Sequence, residues 1–302
     1  MAIPLRFLSS FALALACCLA GVRIAAGADG ELTGTLKKVN DTGLVTIGYR
    51  EDALPFSYLS GKQPIGYSID LCHEIVDDIG RAVGRSDLTV RYKPVTAESR
   101  IPAVVTGEVD LECGSTTANA ERRKEVDFSP IIYVSATKLM VRRGSPVRTF
   151  RDLGGRKVAV TAGTTNEAAV RALIERLKIP AEVMVARDYA EAFGMVRDGR
   201  AVALAADDVL LYGLIAAAGP EGAQYTVLND KLSYEPYAIM FRKDDPAFTS
   251  LVAGTFQRLA QLRELRWIYD RWFLKRLPTG ERLRIAMSEE LAHEFQLLGL
   301  AD

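Results

Sequence analysis

Residues 114–122 (GSTTANAER) combine small, hydroxylated side chains with a closing arginine, Arg122. Small residues let a ligand approach backbone N–H groups, and the hydroxyls of Ser115 and Thr117 can donate hydrogen bonds to a carboxylate. A guanidinium can hold the same carboxylate through two parallel hydrogen bonds. The stretch therefore predicts a site for a carboxylate, such as the α-carboxylate of an amino acid. The alternative is a capped helix N-terminus with Arg122 in solvent.

Residues 161–165 (TAGTT) are a second group of candidate donors, placed between a predicted strand and a predicted helix. Backbone N–H groups and the positive end of a helix dipole favour an anion at such a position. We expect Thr161, Thr164 and Thr165 to face the ligand from this side. Helix capping alone is the alternative explanation of these threonines.

Two adjacent acids, Asp207 and Asp208, follow an apolar predicted strand and are expected on the same side as the candidate donors above. A carboxylate at this position can pair with the ammonium group of an amino acid. One of the two acids is expected to cap the following helix and the other to bind the ligand. We assign the ligand to Asp207.

Two further arginines, Arg50 and Arg100, also fall on the predicted ligand side, one after the first strand and one at the start of a short helix. They exceed what one α-carboxylate needs. Because a buried guanidinium is costly without a partner, their burial would indicate a second negative group on the ligand. The alternative is that both are surface arginines.

The elements that must position these side chains alternate between β and α patterns. Residues 44–48 and 88–92 are predicted strands, the helix that begins at Ile69 has an apolar face, and residues 109–113 return as a strand. This pattern predicts one α/β lobe, largely complete by Tyr133. Ligands in open α/β sheets bind beyond the carboxyl ends of strands, where the candidate residues lie.

A second α/β set begins at Lys157, after which residues 237–241 and two C-terminal helices are expected to return to the first lobe. The prediction is a two-lobed α/β fold, each lobe a mixed sheet flanked by helices. Lobe one comprises residues 29–136 and 239–302, and lobe two, residues 137–238, is inserted. The chain is expected to cross near residues 137–141 and 235–238, which makes a two-strand hinge that permits cleft closure.

The N-terminal segment is typical of a secretion signal. Arg6 precedes an apolar run over residues 7–20, and small residues 26–28 end it. The run is too short to span a bilayer, so we predict a cleaved leader of residues 1–28 and a soluble protein outside the cytoplasm, in the periplasm. Cys17 fits a lipid-anchor motif poorly.

Composition and net charge indicate a globular protein that does not bind nucleic acid. The 302 residues are 49% hydrophobic and 25% charged, which is ordinary for a globular protein with two cores. Without residues 1–28 the chain has 36 basic and 38 acidic side chains, a net charge of −2. Nucleic-acid binders usually carry a clustered basic excess, so no nucleic-acid partner is expected. We expect a monomer.

Few residues are candidates for metal binding or catalysis. The two histidines, His73 and His293, show no metal-ligand spacing, and no serine lies in a nucleophile-elbow pattern. We therefore predict no metal, no cofactor and no catalytic residue. Cys72 and Cys113 are either disulfide-bonded or two buried free thiols.

The C-terminal region carries aromatic residues that we interpret as packing anchors of a helix, not as a ligand site. They are Trp267, Tyr269, Trp272 and Phe273. Residues 283–300 are predicted to be helical and amphipathic.

From about residue 44 to residue 273 the sequence resembles the family-three extracellular solute-binding proteins of ABC transporters, in particular the glutamate/aspartate-binding members. The resemblance rests on an ordered set of motifs: residues 49–51 (YRE), 55–58 (PFSY), 66–70 (GYSID), 100–102 (RIP), 112–117 (ECGSTT), 121–122 (ER), 127–129 (DFS), 163–165 (GTT), 199–203 (GRAVA) and 207–208 (DD). It implies the two-lobed periplasmic-binding-protein fold, an acidic amino-acid ligand and a membrane permease as partner.

The resemblance also implies roles for single residues. Ser115, Thr117 and Arg122 resemble the α-carboxylate clamp, and Asp207 resembles the ammonium acceptor. Arg50 and Arg100 resemble the residues that select an acidic side chain, with Thr161, Thr164 and Thr165 closing from lobe two. Where close relatives carry a serine and a cleft histidine, this sequence has Ala97 and Tyr189. A phenol can hydrogen-bond a carboxylate but adds no positive charge, so glutamine and asparagine remain alternative ligands.

Two other functions use the same scaffold. Some relatives are periplasmic dehydratases that act on cyclic acids, and a soluble ligand sensor for a receptor kinase would share the ligand site and differ only in its partner. The expected function is nevertheless the non-catalytic transport receptor, because general acid–base catalysis needs titratable cleft groups of which few are present.

Overall fold

Helices and strands alternate along residues 31–299, which are the residues that this computed structural model describes. The helices are α1 (Gly34–Thr42), α2 (Tyr67–Val83), α3 (Arg100–Val105), α4 (Thr165–Leu177), α5 (Tyr189–Arg197), α6 (Asp208–Ala217), α7 (Pro246–Gln261), α8 (Glu264–Phe273) and α9 (Glu289–Leu297). The strands are β1 (Leu44–Tyr49), β2 (Asp52–Ala53), β3 (Ser57–Ser60), β4 (Gln63–Ile65), β5 (Thr89–Pro94), β6 (Leu111–Glu112), β7 (Val126–Phe128), β8 (Tyr133–Ser135), β9 (Thr137–Arg142), β10 (Lys157–Thr161), β11 (Glu182–Ala186), β12 (Ala203–Asp207), β13 (Tyr225–Val227), β14 (Glu235–Tyr237) and β15 (Met240–Arg242).

The predicted leader, residues 1–28, and Cys17 within it lie outside the described residues. The chain divides into two units after Leu32, and every named element belongs to the second unit. No helix among residues 31–299 is both long and apolar enough to cross a membrane.

The first sheet has the strand order β5-β1-β6-β15-β7. Strands β5 and β6 run parallel to β1, whereas β15 runs antiparallel to both β6 and β7. Helices α1, α2 and α7 pack on one another, and α1 and α2 contact β1. Because β15 comes from the C-terminal part of the chain, the sheet closes only after the chain has returned from the second sheet.

The second sheet has the strand order β11-β10-β12-β9-β13. Its parallel part, β11-β10-β12, is extended by the antiparallel strands β9 and β13. Thr164 caps α4 and Asp188 caps α5 through their side chains, as their residue types favour. Both sheets are therefore mixed and flanked by helices, which confirms the predicted fold class.

A two-stranded antiparallel ladder, β8 with β14, lies between the two sheets in sequence. The predicted first crossing, near residues 137–141, is wrong by a few residues, because β9 already belongs to the second sheet. The predicted strand over residues 237–241 is divided into β14 and β15. The division occurs because its first residue pairs with β8 in the ladder and its last residues pair in the first sheet.

The C-terminal aromatic residues pack as predicted, with one exception. Tyr269, Trp272 and Phe273 are buried, and the indole N–H of Trp272 donates to Asp70 at 2.6 Å. Trp267 is 56% exposed, so its prediction as a packing anchor is wrong. The reason is helical period, since the buried residues of α8 are spaced three and four apart and Trp267 lies off that stripe. In the predicted helix over residues 283–300, the part that the structure describes, up to residue 299, is helical only in α9.

A disulfide joins Cys72 of α2 to Cys113, which follows β6. Of the two alternatives left open by the sequence, the disulfide is therefore confirmed and two free thiols are wrong. The two Cα atoms are 6.3 Å apart. Because Cys113 directly precedes residues 114–122, the bridge anchors the start of the candidate ligand loop to a buried helix.

We expect the disulfide to contribute about 4 kcal/mol to the free energy of unfolding, because it closes a loop between residues 41 apart in sequence. Urea denaturation followed by circular dichroism, with and without reductant, measures this. The double variant Cys72→Ala/Cys113→Ala is the control and should not respond to reductant. Equal stability of the oxidised and reduced wild type would contradict the expectation.

Candidate functional site

The predicted ligand residues converge where the two sheets face each other. Nine of them are buried, namely Arg50, Arg100, Ser115, Thr117, Arg122, Thr161, Thr164, Tyr189 and Asp207, and Thr165 is half-buried. They follow strands β1 and β6, end strands β10 and β12, or lie at the start of helices α3, α4 and α5. This is the edge at which parallel α/β sheets bind ligands.

The two sides of the site are in contact. The hydroxyls of Thr117 and Thr165 are 3.4 Å apart. The backbone N–H of Tyr189 donates to Asp52 at 2.7 Å, and the Arg50 guanidinium lies 5.5 Å from the centre of the Tyr189 ring. Groups from both sheets thus enclose the site in this conformation.

Arg50 and Arg100 are not surface arginines, because they are only 2% and 3% exposed. Arg50 donates from Nη2 to Asp52 at 3.0 Å, and Arg100 donates from Nη1 to the Thr116 hydroxyl at 2.8 Å. Among the described residues, Nη1 of Arg50 and Nε of Arg100 have no hydrogen-bond partner. Burial lowers the pKa of Arg100 to about 10, and the charge of Arg122 adds to this shift. Each side chain therefore retains hydrogen-bonding capacity for a negative group.

Arg122 is also buried, and its Nη1 donates to the carbonyl oxygen of Thr117 at 2.9 Å. The solvent alternative for Arg122 is wrong, although Asn119 does cap the following turn by accepting from the Arg122 backbone N–H. Ser115 Oγ has no partner among the described residues. The Thr117 hydroxyl, in contrast, donates to Glu235 at 2.7 Å, so its single proton is already engaged.

The three candidate threonines on the side of the second sheet differ in their hydrogen bonds. Thr164 caps α4 by accepting from the Glu167 N–H, and its hydroxyl donates to the carbonyl oxygen of Thr161. The Thr165 hydroxyl donates to Glu235 at 2.7 Å. Only the Thr161 hydroxyl of the three has no partner within residues 31–299. Capping therefore explains Thr164, whereas Thr161 remains available to a ligand.

The two adjacent acids, Asp207 and Asp208, have different hydrogen-bond partners. Asp208 accepts from the Ser135 hydroxyl at 2.7 Å and pairs with Lys138 at 2.9 Å. Asp207 is held by the amide of Asn166 at 2.7 Å and by the phenol of Tyr237. Asp207 stands at the N-cap position of α6 but makes no capping bond with its side chain. Its carboxylate is thus oriented by the protein and not consumed by the helix end.

Burial, together with the neighbouring charge of Glu235, raises the pKa of Asp207 to about 7. The bonds from Tyr237 and Asn166 act in the opposite direction. A carboxylate held in this way is stabilised in its charged form by any cation that approaches it. An ammonium group of a ligand would meet that need.

Sequence reasoning missed three polar residues that organise the site: Glu112, Asn166 and Glu235. All three are buried. Glu112 accepts from the Thr116 hydroxyl at 2.6 Å, and that hydroxyl in turn accepts from Arg100. An acid within an apolar strand pattern was the available signal for Glu112. No local signal marks the role of Glu235 in the site, because the hydroxyls of Thr165 and Thr117 reach it from segments 70 and 118 residues away.

Comparisons with known proteins agree on one family. Residues 45–275 match the family described as bacterial extracellular solute-binding proteins, family 3. The L-glutamate/L-aspartate-binding protein of Pseudomonas aeruginosa is 42% identical over 264 residues, which cover 86% of this chain and 87% of the relative. The glutamate/aspartate import solute-binding protein of Escherichia coli is 36% identical over 288 residues, with 95% and 93% coverage.

A solved structure supports the fold. An ancestral amino acid-binding protein, described as a precursor of cyclohexadienyl dehydratase, has a TM-score of 0.68 to this chain and is 27% identical to it. The match covers 79% of this chain and 99% of that one.

The raised pKa of Asp207 predicts a pH dependence of stability. The carboxyl is more easily protonated in the folded state, whose pKa is about 7, than at its ordinary value of 3.8. Its stabilising contribution is therefore complete below about pH 4 and is lost as the pH rises through 7. Relative to Asp207→Asn, we expect the unfolding free energy of the ligand-free wild type to fall by about 1 kcal/mol per pH unit between pH 4 and 7. Urea denaturation across this range measures it, and parallel curves for the two proteins would refute the assignment.

Proposed function

The chain belongs to family 3 of the bacterial extracellular solute-binding proteins, and we propose that it binds an acidic amino acid, glutamate or aspartate, for an ABC transporter. The two glutamate/aspartate-binding relatives support the ligand class. The observation that carries the proposal is the burial of Arg50 and Arg100 in addition to Arg122.

The argument from these arginines is one of charge. One guanidinium suffices for one α-carboxylate. Arg122 is suited to that task, together with the Ser115 hydroxyl, which has no partner in the described part of the chain. Arg50 and Arg100 keep N–H groups that the described protein does not satisfy. Because burying such donors costs free energy, a second carboxylate on the ligand is the group that best offsets the cost.

The remaining groups fit the rest of an amino acid. Asp207 accepts the ammonium group, and Thr161 adds a hydroxyl from the second sheet. Tyr189 stacks beside Arg50. Its phenol adds a hydrogen-bonding group to the site but no further positive charge. Glutamine and asparagine are therefore the ligands that compete most closely with the acids.

In this proposal the two sheets are the cores of two lobes, residues 29–136 with 239–302 and residues 137–238. The ladder of β8 and β14 joins them and acts as the hinge. Rotation about two strands lets the lobes separate for ligand entry and close around it. The protein works as a monomer in the periplasm and delivers its ligand to a membrane permease.

We propose binding without catalysis. The alternative function is an enzyme that converts a cyclic acid. It is supported by the shared fold of an ancestral amino acid-binding protein that was a precursor of a dehydratase. Asp207 would be its acid–base residue because its pKa is raised to about 7. A sensor for a receptor kinase would bind the same ligand and differ in its partner.

Calorimetric titration of refolded, ligand-free protein tests the proposal. The panel is glutamate, aspartate, glutamine, asparagine, arginine and a cyclic precursor acid of the aromatic amino acids. We expect a Kd of about 1 μM or tighter for glutamate or aspartate and no product on prolonged incubation. Heat that continues with the precursor acid, or binding of arginine alone, would replace the proposal.

Arg100→Ala should change selectivity. We expect glutamate and aspartate to lose roughly 100-fold in affinity, because charged hydrogen bonds to the ligand side chain are removed. Glutamine and asparagine should lose less than about tenfold, since their side chains are neutral. Arg91→Ala, which removes an exposed arginine, is the control. Equal losses for all four ligands would show that Arg100 does not read the side chain.

Arg122→Ala should act on every ligand, because each amino acid carries the α-carboxylate that Arg122 is proposed to hold. We expect a loss of at least roughly 100-fold for acids and amides alike. The exposed neighbour Arg123 offers a matched control, and Arg123→Ala should retain wild-type affinity. A loss confined to acidic ligands would exchange the roles of Arg122 and Arg100.

A further inference from the structure

Glu235 lies in β14, one of the two strands that join the sheets, and it is only 2% exposed. A buried carboxylate needs hydrogen-bond donors or a cation to offset its desolvation. Four hydroxyl groups within residues 31–299 donate to Glu235. They belong to Thr117, Thr137, Thr165 and Ser233.

Two of these hydroxyls approach from opposite sides of the ligand site. Thr117 belongs to the loop after β6 of the first sheet, and Thr165 begins α4 on the second. Both donate to the same oxygen of Glu235, Oε2, at 2.7 Å. One carboxylate oxygen thus connects the two sheets at the ligand site.

The two bonds depend on how the sheets are placed. Their hydroxyl oxygens are 3.4 Å apart, so a rotation that separates Thr117 from Thr165 must break at least one bond to Glu235. Bonds from hydroxyls to a carboxylate are short and stronger than those between neutral groups. They therefore favour the conformation in which the sheets are in contact over one in which they are apart.

The other two donors to Glu235, Ser233 and Thr137, do not connect the two sheets. Ser233 precedes β14 by two residues, and its hydroxyl oxygen lies 2.6 Å from that of Thr137. Ser233 and Thr137 are on the same side as the second sheet, so their bonds to Glu235 do not span the ligand site. They give a matched control within one hydrogen-bond network.

We propose that Glu235 is a positioning residue that holds the ligand site closed by joining Thr117 to Thr165. It raises ligand affinity without touching the ligand, because the apparent affinity depends on the population of the closed form. This inference rests on the proposed closure around an amino acid.

Stopped-flow binding of glutamate to Glu235→Gln tests the inference. The amide preserves shape but removes the charge and one acceptor oxygen. Because the bonds form after the ligand has entered, we expect dissociation to become about tenfold faster while association changes less than about twofold. Ser233→Ala, the control, should retain both rates. An unchanged dissociation rate in folded Glu235→Gln overturns the inference, as does an equal effect of Ser233→Ala.

A double-mutant cycle separates this role from direct binding by Thr165, which is itself a candidate ligand residue. We expect Thr165→Val to accelerate dissociation in wild type but to have little further effect in Glu235→Gln, since both changes remove the same connection. Rate effects that multiply independently would contradict the connection. Thr165→Ser keeps the hydroxyl and should restore the wild-type rate.

Small-angle X-ray scattering distinguishes a failure of this inference from a failure of the proposed function. If wild type binds none of the amino acids, the proposed function fails. The closed fraction of ligand-free wild type can still be compared with that of Glu235→Gln. A lower closed fraction in the variant supports the role of Glu235, and equal fractions overturn it.

Discussion

Burial of three guanidinium groups beside one another is the constraint on which the rest of the site depends. Arg50, Arg100 and Arg122 are each less than 9% exposed, and their charges are close enough for Arg122 and Arg50 to lower the pKa of Arg100. Such a cluster is costly unless negative and polar groups surround it. The fold supplies Glu112 through Thr116, Asp52 and backbone carbonyl oxygens, and it leaves selected N–H groups for a ligand.

Holding these groups in place requires a loop that does not move freely. Residues 114–122 are tied at their start by the disulfide of Cys113. Further along, the Ala118 N–H donates to Pro236 at 2.7 Å, which connects the loop to the strand that joins the sheets. A ligand site works best when its residues are positioned by supporting contacts of this kind. The same contacts make the position of the loop sensitive to the position of β14.

Carboxylates reach the site from both sides, whereas its three arginines come from one side. The arginines all come from the first sheet and its loops, whereas Asp207 ends a strand of the second sheet and Glu235 lies in the joining ladder. A ligand with two carboxylates and one ammonium group matches this arrangement. In the proposed function, such a ligand interacts with the arginines on one side and with Asp207 on the other.

The sequence by itself determined the α/β class, the disulfide candidates and the set of candidate ligand residues. Each depends on local pattern, such as hydrophobic period, capping residues and the grouping of hydroxyls with Arg122. Which arginines are buried, which groups contact Asp207 and Asp208, and the hydrogen bonds of Glu235 were decided only by the tertiary structure. The reason is that Glu235 gains its partners Thr117 and Thr165 from segments 118 and 70 residues away, and burial depends on every element packed around a side chain.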